Sequence, residues 1–159
     1  MKKLFLISLA LILLAPAIFA LGVEARYPGF GGVFWDLNPT TKVGIDLYYS
    51  SDATIGSTTS TYLQTYLWGD WTLFKVNQYI SVYDGGILGF GCTGGATSTT
   101  TFNLIGLVGV DLKVMDKLSF FSDFYLVDIS HTSQNGASAT DVTLLVGSPI
   151  IISGARINL

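Results

Sequence analysis

The sequence predicts an all-β fold: an antiparallel, up-and-down transmembrane β-barrel of about eight strands that follows a cleaved helical signal peptide. Three observations lead there. Half of the 159 residues are hydrophobic but only 12% are charged, against roughly 25% in an ordinary soluble domain. Past the first twenty residues, no stretch of about 20 is apolar enough for a membrane helix. Apolar residues instead recur at every second position, in segments of ten or so separated by Gly, Ser, Thr, Asn and Asp. A strand crosses a bilayer with about 9–11 residues. Apolar residues facing lipid in alternation with polar ones facing a lumen mark a membrane barrel.

Residues 1–20 read as a secretory signal peptide. Lys2 and Lys3 supply the positive n-region, and Leu4 to Leu14 the apolar h-region. The small residues of Ala15-Pro16-Ala17-Ile18-Phe19-Ala20 suit cleavage after Ala20, with Ala25 as second choice. Residues 21–159 then form one domain. Its six Lys and Arg against eleven Asp and Glu give a formal charge of −5. That sign argues against nucleic acid as a partner. A single Cys92 excludes an internal disulfide framework. His and Cys are too few for a zinc site, and no Gly-rich loop leads to a phosphate-binding Lys. The sequence calls for no cofactor and no metal.

Eight strands are expected. The first two are Leu21–Pro28 and Gly31–Asn38, around Pro28-Gly29. Asn38-Pro39-Thr40-Thr41 makes the next turn. Lys42–Ser50 alternates most cleanly, with Val43, Ile45, Leu47 and Tyr49 on one face and Gly44, Asp46 and Tyr48 on the other. Thr61–Lys75 and Gln78–Gly91 follow, with Gly69-Asp70 and Asp84-Gly85-Gly86 as candidate bulges. Thr101–Val114 places Leu104, Val108 and Leu112 opposite Asn103, Asp111 and Lys113. Lys117–Ser130 places Phe120 and Phe124 opposite Asp123 and Tyr125. The last strand covers some or all of Thr140–Leu159, where Pro149 predicts a bulge or a break into two pieces. Polar segments Ser51–Ser60, Cys92–Thr100 and His131–Ala139 read as long loops at one end, with short turns at the other. Outer-membrane barrels show that asymmetry, with an even strand number.

The final segment, IISGARINL over Ile151–Leu159, resembles the closing strand of bacterial outer-membrane barrels, with Leu159 where an aromatic residue is usual. The mature chain as a whole resembles the small eight-stranded superfamily of opacity- and adhesin-type membrane domains. That resemblance implies a bacterial outer-membrane location, the lipid bilayer and the barrel-assembly machinery as partners, and a structural or adhesive role.

On this reading Glu24, Arg26, Asp46, Asp111, Asp123 and Arg156 face inward. Sequestering charge inside avoids about 2–4 kcal/mol for each Arg or Lys on the lipid face at the midplane. Arg156, Arg26 and Glu24 are expected to form one network where the first and last strands meet. Side chains can fill an eight-stranded lumen. Trp35, Tyr48, Tyr49, Tyr62, Tyr66, Trp68, Trp71, Tyr79 and Tyr83 are candidates for interfacial girdles.

The leading function is therefore a non-enzymatic outer-membrane barrel, structural or binding a surface ligand through its loops. Two alternatives stand beside it. His131-Thr132-Ser133 resembles the H-x-S element of outer-membrane lipid A deacylases. By that resemblance Ser133 is the nucleophile and His131 the base, with Asp141 or Asp128 as orienting carboxylate. The other alternative is a soluble exported barrel with Val43, Val108 and Phe124 turned inward around a small apolar ligand.

Overall fold

The computed structural model describes residues 20–52, 60–94, 98–145 and 150–159. The expected signal peptide lies outside them, Ala20 apart. Nine strands run in chain order: β1 (Ala20–Arg26), β2 (Phe30–Asn38), β3 (Thr41–Asp52), β4 (Ser60–Lys75), β5 (Ile80–Gly94), β6 (Thr99–Lys113), β7 (Leu118–Gln134), β8 (Ala137–Leu144) and β9 (Ile150–Asn158). Each pairs antiparallel with its neighbours, and β9 pairs with β1 to close the sheet. β8 and β9 share one barrel position. β8 lies along Val127–Gln134 of β7, and β9 along Leu118–Tyr125 of the same strand. The wall thus has eight positions, and the last is split on either side of the segment that contains Pro149. The bulge or break expected at Pro149 lies outside the described residues.

The register defines the closure. From Gly31, cross-strand partners run through Leu47, Thr65 and Phe90 to Phe102 on β6. In the other direction they run through Ala25, Ala155 and Phe120 to Leu112. The two paths reach β6 ten residues apart. This stagger tilts the strands, as barrel closure requires.

Alternation sets the faces. Leu47, Leu67, Leu88, Phe90, Leu104, Leu112 and Phe120 are exposed on the outside. Val43, Val108 and Phe124 share that outer face, since their neighbours Gly44, Asp46, Gly109, Asp123 and Tyr125 are buried. The arrangement is the reverse of a soluble barrel around an apolar ligand. Asp84 is an exception to the inward placement of charge: it lies on the outer face of β5, opposite Trp71 and Val108.

Three local expectations are corrected. Strand pairing is regular through Asp70 and through Asp84-Gly85-Gly86, and the register shifts among the described residues fall at Asp36/Asn38, Thr72/Phe74 and Gly106/Leu107 instead. His131–Ala139 is mostly strand, because Asn135 (φ 51°) and Gly136 (φ 83°) form a two-residue turn. Asn-Gly suits that hairpin, which needs φ > 0 at both positions. The loop expected over Cys92–Thr100 also shrinks, since β5 continues to Gly94 and β6 begins at Thr99. Threonine favours strands.

Length separates the two ends. β4, β5, β6 and β7 have 15–17 residues, whereas β1 has 7. The β1–β2 hairpin turns at Tyr27–Gly29, where the Gly29 amide donates to the Arg26 carbonyl at 2.8 Å. Beyond that hairpin the remaining strands continue as an extension. Its far strand, β8, is exposed along its whole length.

Candidate functional site

The site is the lumen, and β1 begins it. Glu24 and Arg26 are two residues apart, so both side chains point inward. Glu24 lies directly across from Arg156 on β9, and across from Gly32 on β2. Gly32 in turn lies across from Asp46 on β3. A Cβ at Gly32 would stand 2.1 Å from an Asp46 carboxylate oxygen. Its absence lets Asp46 lean toward β1.

All six charges expected inside are buried, each at 8% exposure or less. Asp70, expected at a bulge, joins them at 6%. Arg156 Nε donates to Glu24 Oε2 at 2.7 Å, and Arg26 Nε donates to Glu24 Oε1 at 2.8 Å. Glu24 thus bridges both guanidinium groups with one oxygen each. Arg26 Nε also lies 2.7 Å from Asp46 Oδ2, and its Nη1 donates to Asp123. Arg156 reaches Asp70 at 2.9 Å and Asp111 at 3.7 Å. The Tyr83 hydroxyl donates to the other Asp123 oxygen. One connected network therefore draws on β1, β3, β4, β5, β6, β7 and β9.

Rings sandwich this network. The Arg156 guanidinium carbon lies 4.3 Å from the Phe121 ring centre and 4.5 Å from that of Trp68. The corresponding Arg26 distances are 4.8 and 5.0 Å. Each such contact contributes about 2 kcal/mol or more when desolvated. The rings fit because each faces a glycine. Phe34 lies across from Gly22, Trp68 from Gly44, Tyr83 from Gly109 and Phe121 from Gly154. A Cβ at Gly44 would meet the Trp68 ring at 2.4 Å, and one at Gly109 would meet Tyr83 at 2.3 Å. Rings covering cross-strand glycines are a known way to pin register.

The nine candidate girdle aromatics divide. Tyr48, Tyr62, Tyr66, Trp68 and Tyr83 are on inward positions, so they line the lumen instead of ringing the membrane interface. Phe30 stacks on Tyr66 at 4.6 Å and lies 5.0 Å from Tyr48, whose ring is 5.9 Å from Tyr62. These rings extend from the network toward the extension, with Phe30 directly across from Arg26 and Tyr66 across from Asp46.

The His131–Ser133 pair has a different environment. Both residues take the outward face of β7, while Asp141 and Asp128 lie on the inward face. His131 Nδ1 is 2.8 Å from Thr140 Oγ1, and Asp128 accepts from Asn103 Nδ2 at 3.4 Å. Neither carboxylate orients the imidazole, so the deacylase-like arrangement is not assembled. Cys92 is a half-buried free thiol on β5.

Glycine–ring pairing and Asp70 were the features missed. Asp70 is two residues from Trp68, so uninterrupted alternation would have placed both inside.

No family model matches the chain, and no curated protein matches it in sequence. Among solved structures, a major outer membrane protein from Thermus thermophilus is similar over 89% of this chain and 99% of its own, at 14% identity and a TM-score of 0.47. Acinetobacter baumannii CarO is similar over 88% and 96%, at 11% identity and TM-score 0.39. Acinetobacter baumannii CarO2 is similar over 89% and 98%, at 13% identity and TM-score 0.42. Likenesses this distant assign neither a family nor an activity.

Proposed function

We propose that the chain is a non-enzymatic outer-membrane β-barrel protein whose lumen is closed by the Arg26–Arg156 network, and whose extended strands present a surface for binding. The carrying observation is the pairing of an apolar exterior with a buried ionic interior. A soluble protein of this charge content would leave its apolar face in water. The eight wall positions, the antiparallel order and the tight turns at one end support the same reading. The start of β1 and the end of the chain lie at that end, where the Leu159 amide donates to the Leu21 carbonyl at 2.9 Å. In an outer membrane that end faces the periplasm. Cleavage after Ala20 keeps Glu24 in the mature chain, and cleavage after Ala25 would remove it.

The network fits closure better than transport. Burying ions costs several kcal/mol each, and only dense pairing offsets it. Here each guanidinium is also packed between rings. The extension reaches past the 9–11 residues that span a bilayer. Its far strand exposes Ser138, Thr140 and Thr143 beside Val142 and Leu144.

Purified protein in detergent should migrate faster unheated than boiled on electrophoresis, and should give no conductance steps in planar bilayers. Recovery as a soluble periplasmic species would overturn the membrane assignment, and sustained conductance would overturn closure.

A further inference from the structure

The four lysines of residues 21–159 are Lys42, Lys75, Lys113 and Lys117. All four line one cavity, of about 190 Å³, at the tight-turn mouth of the lumen. Strand positions explain this for three of them, and Lys117 lies in the turn before β7. Lys42 follows the parity of Gly44 and Asp46, and Lys113 that of Asp111. Lys75 pairs with Ser81, which pairs in turn with Asp111 on the inner face. Lys117 is two residues before Ser119, which lies across from Arg156. The four lysines thus share this mouth, where the Lys113 ammonium reaches the turn residue Asp116. The opposite end has no Lys or Arg among the described residues, and carries Asp128 and Asp141.

Two of the lysines have carboxylate neighbours. Lys42 is 3.6 Å from Asp36, and Lys113 is 3.0 Å from the exposed Asp116. Among the described residues, Lys75 and Lys117 have no carboxylate within 4.0 Å. The cavity also presents the hydroxyls of Ser81 and Ser119. Its lining includes Asp111, which lies 3.7 Å from Arg156 in the network. That space suits a ligand of a few heavy atoms.

We propose that this mouth is a binding site for a small multivalent oxyanion of the phosphate class. Lysine ammoniums act as point charges, without the planar fork that selects carboxylates. Two such groups without carboxylate neighbours match an anion of charge two or more. Serine hydroxyls supply the neutral donors. With the membrane orientation proposed above, the anion comes from the periplasm. The site itself does not depend on that orientation. A competing role for the lysines is to balance the five carboxylates that face two arginines in the network, which would require no ligand.

The test uses inorganic pyrophosphate, titrated by calorimetry into the full mature barrel in zwitterionic detergent at low salt. Saturable binding is expected, weakening as ionic strength rises. Lys75→Gln with Lys117→Gln should weaken it tenfold or more, and the matching double Arg variant should retain it. Should the double Gln variant not fold, Lys117→Gln alone should weaken binding threefold or more. Unheated electrophoretic migration establishes folding in each case. Absence of saturable binding, or equal binding by the folded Gln variants, overturns the proposal. A lower unfolding midpoint in the Gln variants without any wild-type pyrophosphate binding assigns the lysines to charge balance alone. Repeating the titration in phosphatidylcholine and phosphatidylglycerol nanodiscs separates the sources. Equal affinity supports a soluble anion, and loss in phosphatidylglycerol shows that lipid headgroups occupy the mouth, against the proposal.

Discussion

The two halves of this barrel are built by opposite means. Around Arg156, side chains hold the wall together: two guanidinium groups, five carboxylates and four rings converge from eight strands. Beyond the Tyr27–Gly29 hairpin, the backbone ladder does most of that work, and β8 pairs on one side only among the described residues. Buried, densely paired segments open only near the global unfolding free energy, whereas exposed ladders open locally at far lower cost. On the proposed reading, the same chain joins a rigid stopper to a compliant outer sheet. The polar Ser and Thr of β8 suit an edge strand, which would invite aggregation if it were flat and apolar.

That contrast can be broken most severely at Arg156. Arg156→Ala leaves Asp70 and Asp111 without their cation, and Glu24 with Arg26 alone. Breaking a buried ion pair in this way costs about 3–5 kcal/mol. Denaturant unfolding in detergent micelles should show that loss as a lower midpoint with an unchanged slope. Arg156→Lys should recover only part of it, because one ammonium cannot replace the planar fork that reaches three carboxylates.

A smaller effect is expected at Gly44. Gly44→Ala pushes a methyl against the Trp68 ring, and overpacking of this kind costs about 1–3 kcal/mol. The indole has to shift away from both arginines, so Trp fluorescence should change along with the midpoint. A midpoint within about 0.5 kcal/mol of wild type, the range of ordinary surface substitutions, would show that the glycine–ring pairing does not pin the lumen.

Gly136→Ala tests the outer half. A side chain in the left-handed region costs about 1–2 kcal/mol. The strain falls on the β7–β8 hairpin, so hydrogen exchange should accelerate across Ala137–Leu144 while the global midpoint stays fixed. A global loss would mean that the two halves unfold together.

The smallest effect is expected for His131→Ala and Ser133→Ala. Both side chains lie on the outer face of the extension, away from the carboxylates. Stability should change by no more than about 0.5 kcal/mol, and the lipid acylation profile of the host envelope should not change. Altered deacylation in the Ser133 variant would reinstate an enzymatic role.

Period-two alternation made most of the fold legible. Leu47 against Asp46, Leu112 against Asp111 and Phe124 against Asp123 each state which face is oily and which is ionic. Proximity of the first and last strands similarly foretold that Glu24 and Arg156 meet. The rest depended on information that alternation does not carry. Asp70 follows a glycine and precedes Trp71, and Gly-Asp next to an aromatic looks like a break in the pattern. Only the register, which sets Asp70 across from Gly85 and Lys42, shows the strand continuing. Tyr48 and Tyr83 read as girdle residues because tyrosine suits interfaces, but their partners decide otherwise. Tyr83 lies across from Gly109, a pairing hidden until the two strands are aligned. The Asn135-Gly136 turn was written in the sequence and masked by its Ser- and Thr-rich surroundings. The placement of three of the four lysines at one mouth follows from strand parity as well, but only once every strand direction is known.

The decisive measurement is lipid accessibility at two adjacent residues of β6. Leu104→Cys and Ile105→Cys, each made with Cys92→Ser, are spin-labelled in reconstituted bilayers and exposed to oxygen and to a water-soluble relaxing agent. A label at 104 should collide freely with oxygen, as a lipid-facing group does. At 105 it should be shielded from both agents, because that side chain points into the filled lumen. Equal accessibility at the two sites, or a lipid signal at 105 with shielding at 104, would contradict a barrel that is oily outside and sealed by ions within.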